Sequence, residues 1–312
     1  MKKRTLRPLI LIPALCATLA WAQDRQEAVQ QVVASENACT QLSDFYWEIG
    51  DANGVLASGK SRRAGRINAD TKLSIASGSK WVFAAYAAER ERGNLSAGQV
   101  QMLQMRSGYD QLNPALCVRE PTPESCFFAN DNSKLNEADI GKFNYNGGHM
   151  QKLMLDLGLG SYDTGALSSD LQANLGGNID IDYGSPQAAA GMRASATSYG
   201  EFLRRVLRRE LIMGRILGAR PVCTLPHSCP EALSSPAAPR AMHYSIGHWV
   251  EDDPRGDGAF SSAGAFGFYP WITADKRYYG IISRQESADS HTGFRSAECG
   301  MLMRRAFAGG DS

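Results

Sequence analysis

The sequence carries almost no excess of charge of either sign, since 33 lysines and arginines face 32 aspartates and glutamates for a net charge of +1. The first 22 residues contain Lys2, Lys3, Arg4 and Arg7 and no acidic residue, so removing them takes four positive charges from +1 and leaves −3. A near-neutral chain has no basic footprint of the kind that holds nucleic acid. We therefore expect no nucleic-acid partner.

The sequence also lacks the ligand pairs of a structural metal site, since it contains no Cys-x-x-Cys and no His-x-x-x-His spacing. It has no internal repeat, no block of like charge and no long linker. Its 43% hydrophobic content suffices for a large core, as one large domain or two closely packed ones. We expect neither a metal nor an organic cofactor, and we assign residues 23–312 to a single domain.

The apolar run near the N-terminus is too short to span a bilayer, because it covers only residues 9–19. It follows a basic start and precedes Ala20-Trp21-Ala22, a small-x-small pattern typical of a signal-peptide cleavage site. We therefore predict that residues 1–22 form a cleaved signal peptide. The mature protein is then periplasmic or secreted, with no stable membrane anchor.

Six cysteines remain after residue 22, and an even number in an oxidising compartment indicates disulfides. Proximity favours two short loops and leaves one long-range pair: Cys117–Cys126, Cys223–Cys229 and Cys39–Cys299. The long-range pair ties the two ends of the chain together and stabilises the fold by up to about 5 kcal/mol in the chain-entropy model. Other pairings of the six cysteines remain open at this point.

Hydrophobic periodicity predicts strands at both ends of the chain and helices between them. The predicted elements are a helix at 25–40, a strand pair at 44–49 and 54–58, helices at 77–92, 97–106, 148–157 and 195–210, strands at 243–250, 260–272 and 276–284, and a closing helix at 293–308. This order predicts an α+β fold. Its antiparallel sheet is built from both chain ends, about 23–76 and 243–312, with terminal helices packed on it and a mostly helical insertion at about 77–242.

Ser77 and Lys80 stand three residues apart at the start of an apolar helix, so their side chains share one face. A serine hydroxyl becomes a nucleophile when a base takes its proton, and a desolvated lysine with a lowered pKa can be that base. The Ser-x-x-Lys spacing is therefore a candidate nucleophile pair. Four positions alone are weak evidence, because both residue types are common.

Four segments, in this order, carry a resemblance to a known family: residues 75–81 (IASGSKW), 102–109 (MLQMRSGY), 143–149 (FNYNGGH) and 190–203 (AGMRASATSYGEFL). They resemble the serine β-lactamases and penicillin-binding proteins, in the branch of class C β-lactamases, DD-peptidases, related esterases and 6-aminohexanoate-dimer hydrolases. The resemblance covers about residues 44–305. It implies a β-lactamase/transpeptidase-like fold with Ser77, and not Ser79, as the nucleophile and Lys80 as its partner.

The resemblance also implies that Tyr145 shuttles a proton beside Ser77, with its phenol pKa lowered by a nearby ammonium. Residues 262–267 (SAGAFG) would match the family strand that reads Lys-Thr-Gly or His-x-Gly. Gly264 would then let the substrate approach closely, and the N–H groups of Ala265 and Ser77 would form an oxyanion hole. From the residues alone, a core tyrosine and an ordinary Gly-rich strand remain the alternatives.

Two departures from the family pattern bear on the substrate. Ser262 stands where a cationic side chain is expected, so a substrate carboxylate loses its partner unless Arg284 or another basic residue supplies the charge. Gly147 stands at the expected asparagine, with Asn146 one place early. We count Asn146, Ser262 and Gly264 as candidate substrate contacts. Both departures favour a neutral ester or amide over a penicillin.

We therefore predict an exported serine hydrolase that acts through an acyl-enzyme on a small-molecule or peptide substrate with an ester or amide bond. The alternatives are a D-Ala-D-Ala carboxypeptidase or β-lactamase, and a catalytically silent relative that binds cell-wall peptides or a protein partner. A Ser-His-Asp lipase built on His291 and Asp289 is disfavoured, because the sequence has no Gly-x-Ser-x-Gly. Pocket shape is expected to depend on residues 110–142 and 215–242, and the oligomeric state is left open.

Overall fold

The computed structural model describes residues 13–61, 65–238, 240–287 and 291–309, with side chains from residue 23 onward. The predicted signal peptide lies mostly outside the described residues, and its cleavage stays a prediction. Across these described ranges, no helix is long and apolar enough to cross a membrane.

The described residues alternate between helices and short strands along most of their length. The helices are α1 (Pro13–Ala34), α2 (Gly78–Arg90), α3 (Ala97–Leu103), α4 (Pro123–Phe128), α5 (Gly148–Asp156), α6 (Thr164–Leu175), α7 (Ala196–Leu207), α8 (Met213–Ile216) and α9 (Thr292–Ala308). The strands are β1 (Tyr46–Gly50), β2 (Val55–Lys60), β3 (Leu73–Ser74), β4 (Phe143–Asn144), β5 (Asp182–Tyr183), β6 (Met192–Ala194), β7 (Val222–Cys223), β8 (Ala232–Ser234), β9 (His243–Tyr244), β10 (Trp249–Val250), β11 (Phe260–Ser261), β12 (Tyr269–Ile272) and β13 (Tyr279–Ser283).

Eight strands form one antiparallel sheet in the order β2-β1-β13-β12-β11-β10-β9-β7. β1, near the start of the chain, pairs with β13, near its end, so that Tyr46 lies opposite Ser283 and Gly50 opposite Tyr279. This arrangement confirms the predicted α+β fold with a sheet drawn from both chain ends. The helical insertion also contributes β7 to one edge of the sheet, which the sequence pattern does not predict.

Two predicted strands are each split by a tight turn. The strand predicted at 243–250 becomes β9 and β10, because the chain turns through Gly247 at a φ of 75° that favours glycine. A Cβ at Gly247 would lie 2.4 Å from the Cβ of Ala84, so this turn presses directly against α2. The strand predicted at 260–272 becomes β11 and β12, separated by residues 262–268.

The sheet is covered on both faces, which explains why all five residues of β1 are buried. Trp47 and Ile49 point to the face covered by α1 and α9, where they join one apolar cluster with Met303. Tyr46 points to the opposite face and belongs to a larger cluster that contains Trp81 of α2. Helix α2 therefore lies between the sheet and the helical insertion.

The six cysteines form the three pairs that proximity favours: Cys39–Cys299, Cys117–Cys126 and Cys223–Cys229. Cys39 lies in a short 3-10 helix over Ala38–Gln41, and its partner lies in α9. The helix predicted at 25–40 is therefore wrong at its end. It stops at Ala34, because the Asn37 side chain accepts a hydrogen bond from the Cys39 N–H and caps the separate 3-10 helix.

Strand β3 positions the start of α2. Ser74 pairs with Arg193 of β6, and the Ile75 N–H donates to the carbonyl of Met192 at 3.1 Å. The chain therefore enters α2 beside the segment that leads into α7, so two of the four family-like segments meet here.

Candidate active site

The side chains of Ser77 and Lys80 meet at the N-terminus of α2. Lys80 Nζ lies 2.9 Å from Ser77 Oγ and 3.0 Å from the carbonyl oxygen of Ala189. Lys80 is only 4% exposed. Burial lowers the pKa of its ammonium from the ordinary 10.5 to about 7. A substantial share of Lys80 is therefore an uncharged amine at neutral pH, within reach of the Ser77 proton.

The backbone before α2 directs Ser77 and Ser79 to different sides. Ala76 adopts a φ of 45°, a left-handed conformation that is strained for a residue with a Cβ. Ser77, which follows it, lines the cleft. Ser79 is fully buried, and its Oγ accepts a hydrogen bond from the Met192 N–H at 3.2 Å. Of these two serines, Ser77 is the one placed to meet a substrate.

Tyr145 lies beside this pair, on the loop before α5. Its ring stacks on Trp249 with centroids 5.3 Å apart, and Lys80 Nζ lies 4.7 Å from the centroid of the Tyr145 ring. Burial raises the pKa of the phenol to about 12, and contacts with the side chains of Ser77 and Trp249 offset only part of this increase. The prediction of a lowered phenol pKa is therefore wrong, because the Lys80 amine faces the ring and burial reduces its own charge.

The backbone N–H groups of two cleft residues are candidates for binding an oxyanion. Ser77 and Ala265 both line the cleft, and in the described part of the chain neither N–H donates a hydrogen bond. Ala265 lies in the turn between β11 and β12, where the Gly267 N–H donates to the Gly264 carbonyl at 2.8 Å. Free N–H groups beside a nucleophile are suited to stabilise the oxyanion of a tetrahedral intermediate.

Ser262 and Gly264 lie behind the nucleophile and are not among the described residues that line the cleft. Ser262 is 1% exposed, and its hydroxyl donates to the carbonyl of Ser77 at 2.8 Å. A Cβ at Gly264 would lie 2.3 Å from the carbonyl oxygen of Ile75, so the close approach at this glycine is between two segments of the chain. The structure shows that both residues hold the backbone around Ser77 against the sheet, and their contact with a substrate stays a prediction.

Arg284 does not supply the missing cation to the cleft. Its side chain is fully buried, and a Cβ at Gly267 would lie 2.6 Å from Arg284 Nε. The guanidinium lies 2.7 Å from the carboxylate of Glu286 and donates to Ser296 Oγ, also at 2.7 Å. Arg284 therefore supports the turn that carries Ala265.

Asn146 and Gly147 both border the cleft, and the Asn146 amide is hydrogen-bonded to the neighbouring backbone. Asn146 Oδ1 accepts from the N–H groups of Leu112 at 3.1 Å and Gly148 at 2.8 Å, and its Nδ2 donates to the carbonyl of Leu112 at 3.2 Å. A Cβ at Gly147 would lie 3.4 Å from the side chains of Leu112 and Ala189, which flank this position. A contact between the Asn146 amide and the substrate stays a prediction.

A cleft of about 730 Å³ opens beside Ser77 and Lys80. Its apolar lining includes residues from two loops: Leu112, Pro114, Ala115 and Val118 from one, and Ala265 and Phe266 from the other. Among the described lining residues, only Lys80 and Arg193 are basic or acidic. Residues 110–142 contribute to the cleft as expected, whereas no described residue of 215–242 lines it, because that segment runs along β4 and the sheet edge.

Two groups that hold Lys80 in place are not predicted from the sequence. One is the Ala189 carbonyl, whose oxygen accepts a hydrogen bond from Lys80 Nζ. The other is Gln151, which is 1% exposed and whose Oε1 accepts from the Ala188 N–H at 3.1 Å. Gln151 therefore fixes the segment that presents this carbonyl. Helical spacing could have placed Gln151 near the cleft, because it follows Gly147 by four residues and therefore shares a helix face with it.

The histidines near the cleft are structural. Burial lowers the pKa of His149 to about 4, its Nδ1 accepts from the Ser107 N–H at 3.1 Å, and its Nε2 donates to the carbonyl of Asn144 at 3.0 Å. His149 thus joins two of the family-like segments. His291 lies at the start of α9 and is not among the described cleft residues, while Asp289 lies outside the described residues. The position of His291 therefore does not support a Ser-His-Asp site built on Ser77.

Comparison with solved structures finds extensive likeness in three dimensions at low sequence identity. D-amino acid amidase from Ochrobactrum anthropi is 12% identical, with 93% of this chain and 100% of that chain covered and a TM-score of 0.67. A mutant of simvastatin synthase from Aspergillus terreus is 14% identical, with 97% and 99% covered and a TM-score of 0.63. EstCE1, a hydrolase with promiscuous acyltransferase activity, is 11% identical, with 94% and 99% covered and a TM-score of 0.64.

No protein-family model matches the sequence, and no curated protein matches it either. The likeness to solved structures therefore rests on the backbone, and it extends over nearly the whole chain. It confirms the β-lactamase/transpeptidase-like fold that the four sequence segments imply. The chain has the fold of the β-lactamase-related serine hydrolases.

Proposed function

We propose that the protein is an exported serine hydrolase that acts through an acyl-enzyme on an uncharged ester or amide, with Ser77, Lys80 and Tyr145 as its catalytic residues. The observation that carries this proposal is the 2.9 Å contact between Ser77 Oγ and a buried Lys80 whose pKa is about 7. A lysine that is partly uncharged at neutral pH can act as a general base. An amidase and a hydrolase with acyltransferase activity among the structural neighbours support acyl transfer.

Acylation begins when the Lys80 amine takes the proton of Ser77 and Oγ attacks the carbonyl carbon of the substrate. The carbonyl oxygen then carries a negative charge, which the N–H groups of Ser77 and Ala265 stabilise. As the bond to the leaving group breaks, Tyr145 donates its phenolic proton to that group, and the Lys80 ammonium returns a proton to Tyr145. The products are an ester on Ser77, a neutral Lys80 and the free alcohol or amine.

Deacylation repeats these steps with water as the nucleophile. The Lys80 amine takes a proton from water through Tyr145, and the hydroxyl oxygen attacks the ester carbonyl on Ser77. The same two N–H groups stabilise the second oxyanion. The acyl–oxygen bond then breaks, Ser77 Oγ takes back the proton held by the Lys80 ammonium, and the carboxylic acid is released.

The charge distribution of the cleft favours an uncharged substrate. Ser262 provides no cation, and Arg284 is buried under the turn. Arg193 borders the cleft with its Nε 2.9 Å from Asp182, so its charge is already paired. β-Lactams and D-Ala-D-Ala peptides carry a carboxylate, and we therefore expect them to be poorer substrates than neutral esters.

Labelling with a fluorophosphonate probe tests the nucleophile. We expect stoichiometric labelling of the wild type, none of Ser77→Ala, and near wild-type labelling of Ser79→Ala. Ser79→Ala is the matched control, because its hydroxyl lies nearby and is buried against Met192. Full labelling of Ser77→Ala would end the assignment of Ser77.

Turnover separates the proposed hydrolase from its alternatives. We expect hydrolysis of p-nitrophenyl acetate by the wild type and not by Ser77→Ala, with slower turnover of nitrocefin and D-Ala-D-Ala peptides. Faster turnover of nitrocefin or the peptides would favour a β-lactamase or a carboxypeptidase. Labelling without turnover of any substrate would favour a sensor, and an absence of both would favour a silent binding module.

Export is tested on the protein purified from a periplasmic or culture fraction. We expect its intact mass to correspond to a chain that begins at Gln23 and carries three disulfides. A cell-associated chain that retains residues 1–22 would contradict cleavage, and free thiols in the native protein would contradict an oxidising destination.

A further inference from the structure

One wall of the cleft is apolar and is carried by a single loop. Leu112, Pro114, Ala115 and Val118 all line the cleft. Leu112 is 6% exposed, whereas Val118 is 62% exposed. The wall therefore runs from a buried inner end to an exposed rim, a shape that suits an extended apolar group.

The inner end of this wall is fixed by the Asn146 amide. Asn146 pairs with both the N–H and the carbonyl of Leu112, at 3.1 and 3.2 Å. An amide that pairs with both backbone groups of one residue holds that residue at a defined position. The family pattern places an amide near here to contact the substrate, but in this chain the amide holds the apolar wall.

The outer part of the loop is fixed by a disulfide and a buried asparagine. Leu112 forms an apolar cluster with Cys117 and Cys126, which are bonded to each other. Asn132 is 1% exposed, accepts from the Asn113 N–H at 2.7 Å and donates to the carbonyl of Cys126 at 2.8 Å. The wall is therefore held in place before any ligand binds, as substrate sites usually are.

We infer that residues 112–118 form a subsite for an uncharged, apolar acyl group, and that Asn146 determines specificity by holding this wall instead of contacting the substrate. The inference rests on the proposed function, because the acyl group is the part of the substrate that Ser77 retains. Covering one more methylene with an apolar wall raises kcat/KM roughly fourfold. A carboxylate at the end of the acyl group would lose its hydration against the same wall.

Four p-nitrophenyl esters with one common leaving group test the subsite: acetate, butanoate, hexanoate and the monoester of succinate. We expect kcat/KM to rise at least tenfold from acetate to butanoate and further to hexanoate. The succinate ester matches butanoate in carbon number but ends in a carboxylate, and we expect it to react at least tenfold more slowly than butanoate.

A pair of valine substitutions tests whether the wall formed by residues 112–118 causes the preference for long acyl groups. Val118→Asp places a charge on the exposed rim, so we expect hexanoate kcat/KM to fall at least tenfold and to fall by a larger factor than acetate kcat/KM. Val55→Asp is the matched control, because Val55 is 49% exposed on β2 and does not line the cleft. We expect it to change neither value by more than twofold. Asn146→Ala releases Leu112 and is expected to reduce the hexanoate-to-acetate ratio at least fivefold.

Three results would overturn the subsite: equal kcat/KM for all acyl lengths, faster hydrolysis of the succinate ester than of butanoate, or an equal loss on acetate and hexanoate in Val118→Asp. Each of these presupposes ester hydrolysis that depends on Ser77. An absence of such hydrolysis with every ester would instead overturn the proposed function, and the acyl subsite with it.

Discussion

Replacing Lys80 with methionine is expected to remove catalysis and, below neutral pH, to make the protein more stable. Methionine retains most of the side-chain volume but can neither carry charge nor take a proton. Because Lys80 is the proposed general base for Ser77, we expect kcat/KM to fall by roughly 10² to 10⁴. The gain in stability follows from the burial of the ammonium, since Lys80 is 4% exposed and lacks a carboxylate partner within the described residues.

The magnitude of this gain can be worked from the pKa. Burial lowers the pKa of Lys80 from 10.5 to about 7, and one pKa unit corresponds to about 1.4 kcal/mol, so the buried lysine costs on the order of 5 kcal/mol of folding free energy below pH 7. Methionine leaves the Ala189 carbonyl and the Ser77 hydroxyl without this partner, which costs about 1–3 kcal/mol. We therefore expect Lys80→Met to be about 3 kcal/mol more stable than the wild type at pH 6.

The pH dependence of this difference distinguishes a titration effect from altered packing. Between the folded pKa of about 7 and the ordinary value of 10.5, the unfolded wild type binds more protons than the folded protein, so its stability rises with pH. The advantage of the methionine variant should therefore shrink by about 2.5 kcal/mol between pH 6 and pH 9. The low-pKa histidines are common to both proteins, so their titration cancels in the comparison.

Urea denaturation of both proteins at pH 6, 7.5 and 9, with disulfides intact, measures the difference. Lys80→Arg is not a suitable control, because its guanidinium stays charged across this range. Ser79→Ala is suitable, since it removes one buried hydrogen bond close by without changing charge. A stability difference between Lys80→Met and wild type that stays constant from pH 6 to pH 9 would refute the assignment of a lowered Lys80 pKa.

Three further predictions follow from the same geometry. We expect kcat/KM for a neutral ester to rise with pH through an apparent pKa near 7 set by Lys80, and a flat profile from pH 5 to 9 would contradict this. Gln151→Met should lower kcat roughly tenfold and shift that apparent pKa, whereas Gln172→Met, which removes a similar hydrogen bond to backbone elsewhere, should leave the pH profile unchanged. Replacing Cys39 and Cys299 with serine should lower stability by about 3–5 kcal/mol in thermal or urea unfolding while the folded fraction keeps wild-type kcat.

Much of the fold could be predicted, because the hydrophobic periodicity of each segment agrees with the helix or strand that the segment forms in the structure. The helices at 77–92 and 148–157 are strongly amphipathic or apolar, and the structure ends them within two residues of the predicted bounds. The antiparallel sheet from both chain ends followed from strand patterns placed before and after the helical region. The split of residues 243–250 could not be predicted, because the turn at Gly247 depends on its contact with Ala84, which is distant in sequence.

The sequence predicts the proximity of the Ser77 and Lys80 side chains, but it does not predict the packing around them. Ser77 and Lys80 are close in sequence, so helical spacing alone brings them together. The positions of Ser262 and Gly264 depend on how the turn after β11 packs behind α2. The spacing of residues in the sequence does not show which side of this turn faces the cleft. Likewise, burial is the main cause of the raised phenol pKa of Tyr145, and this burial depends on packing between segments that are distant in sequence.

The pairing of β1 with β13 has a consequence for the order in which this protein becomes active. During synthesis, Ser77 and Lys80 emerge long before Ala265 and the strand that closes the sheet behind it. Long-range pairing of this kind makes folding slow, because the loop between the partners must close first. A chain that ends before residue 265 therefore contains the proposed nucleophile Ser77 without the proposed second oxyanion donor, the Ala265 N–H. We therefore expect the proposed activity to require the strands from both chain ends.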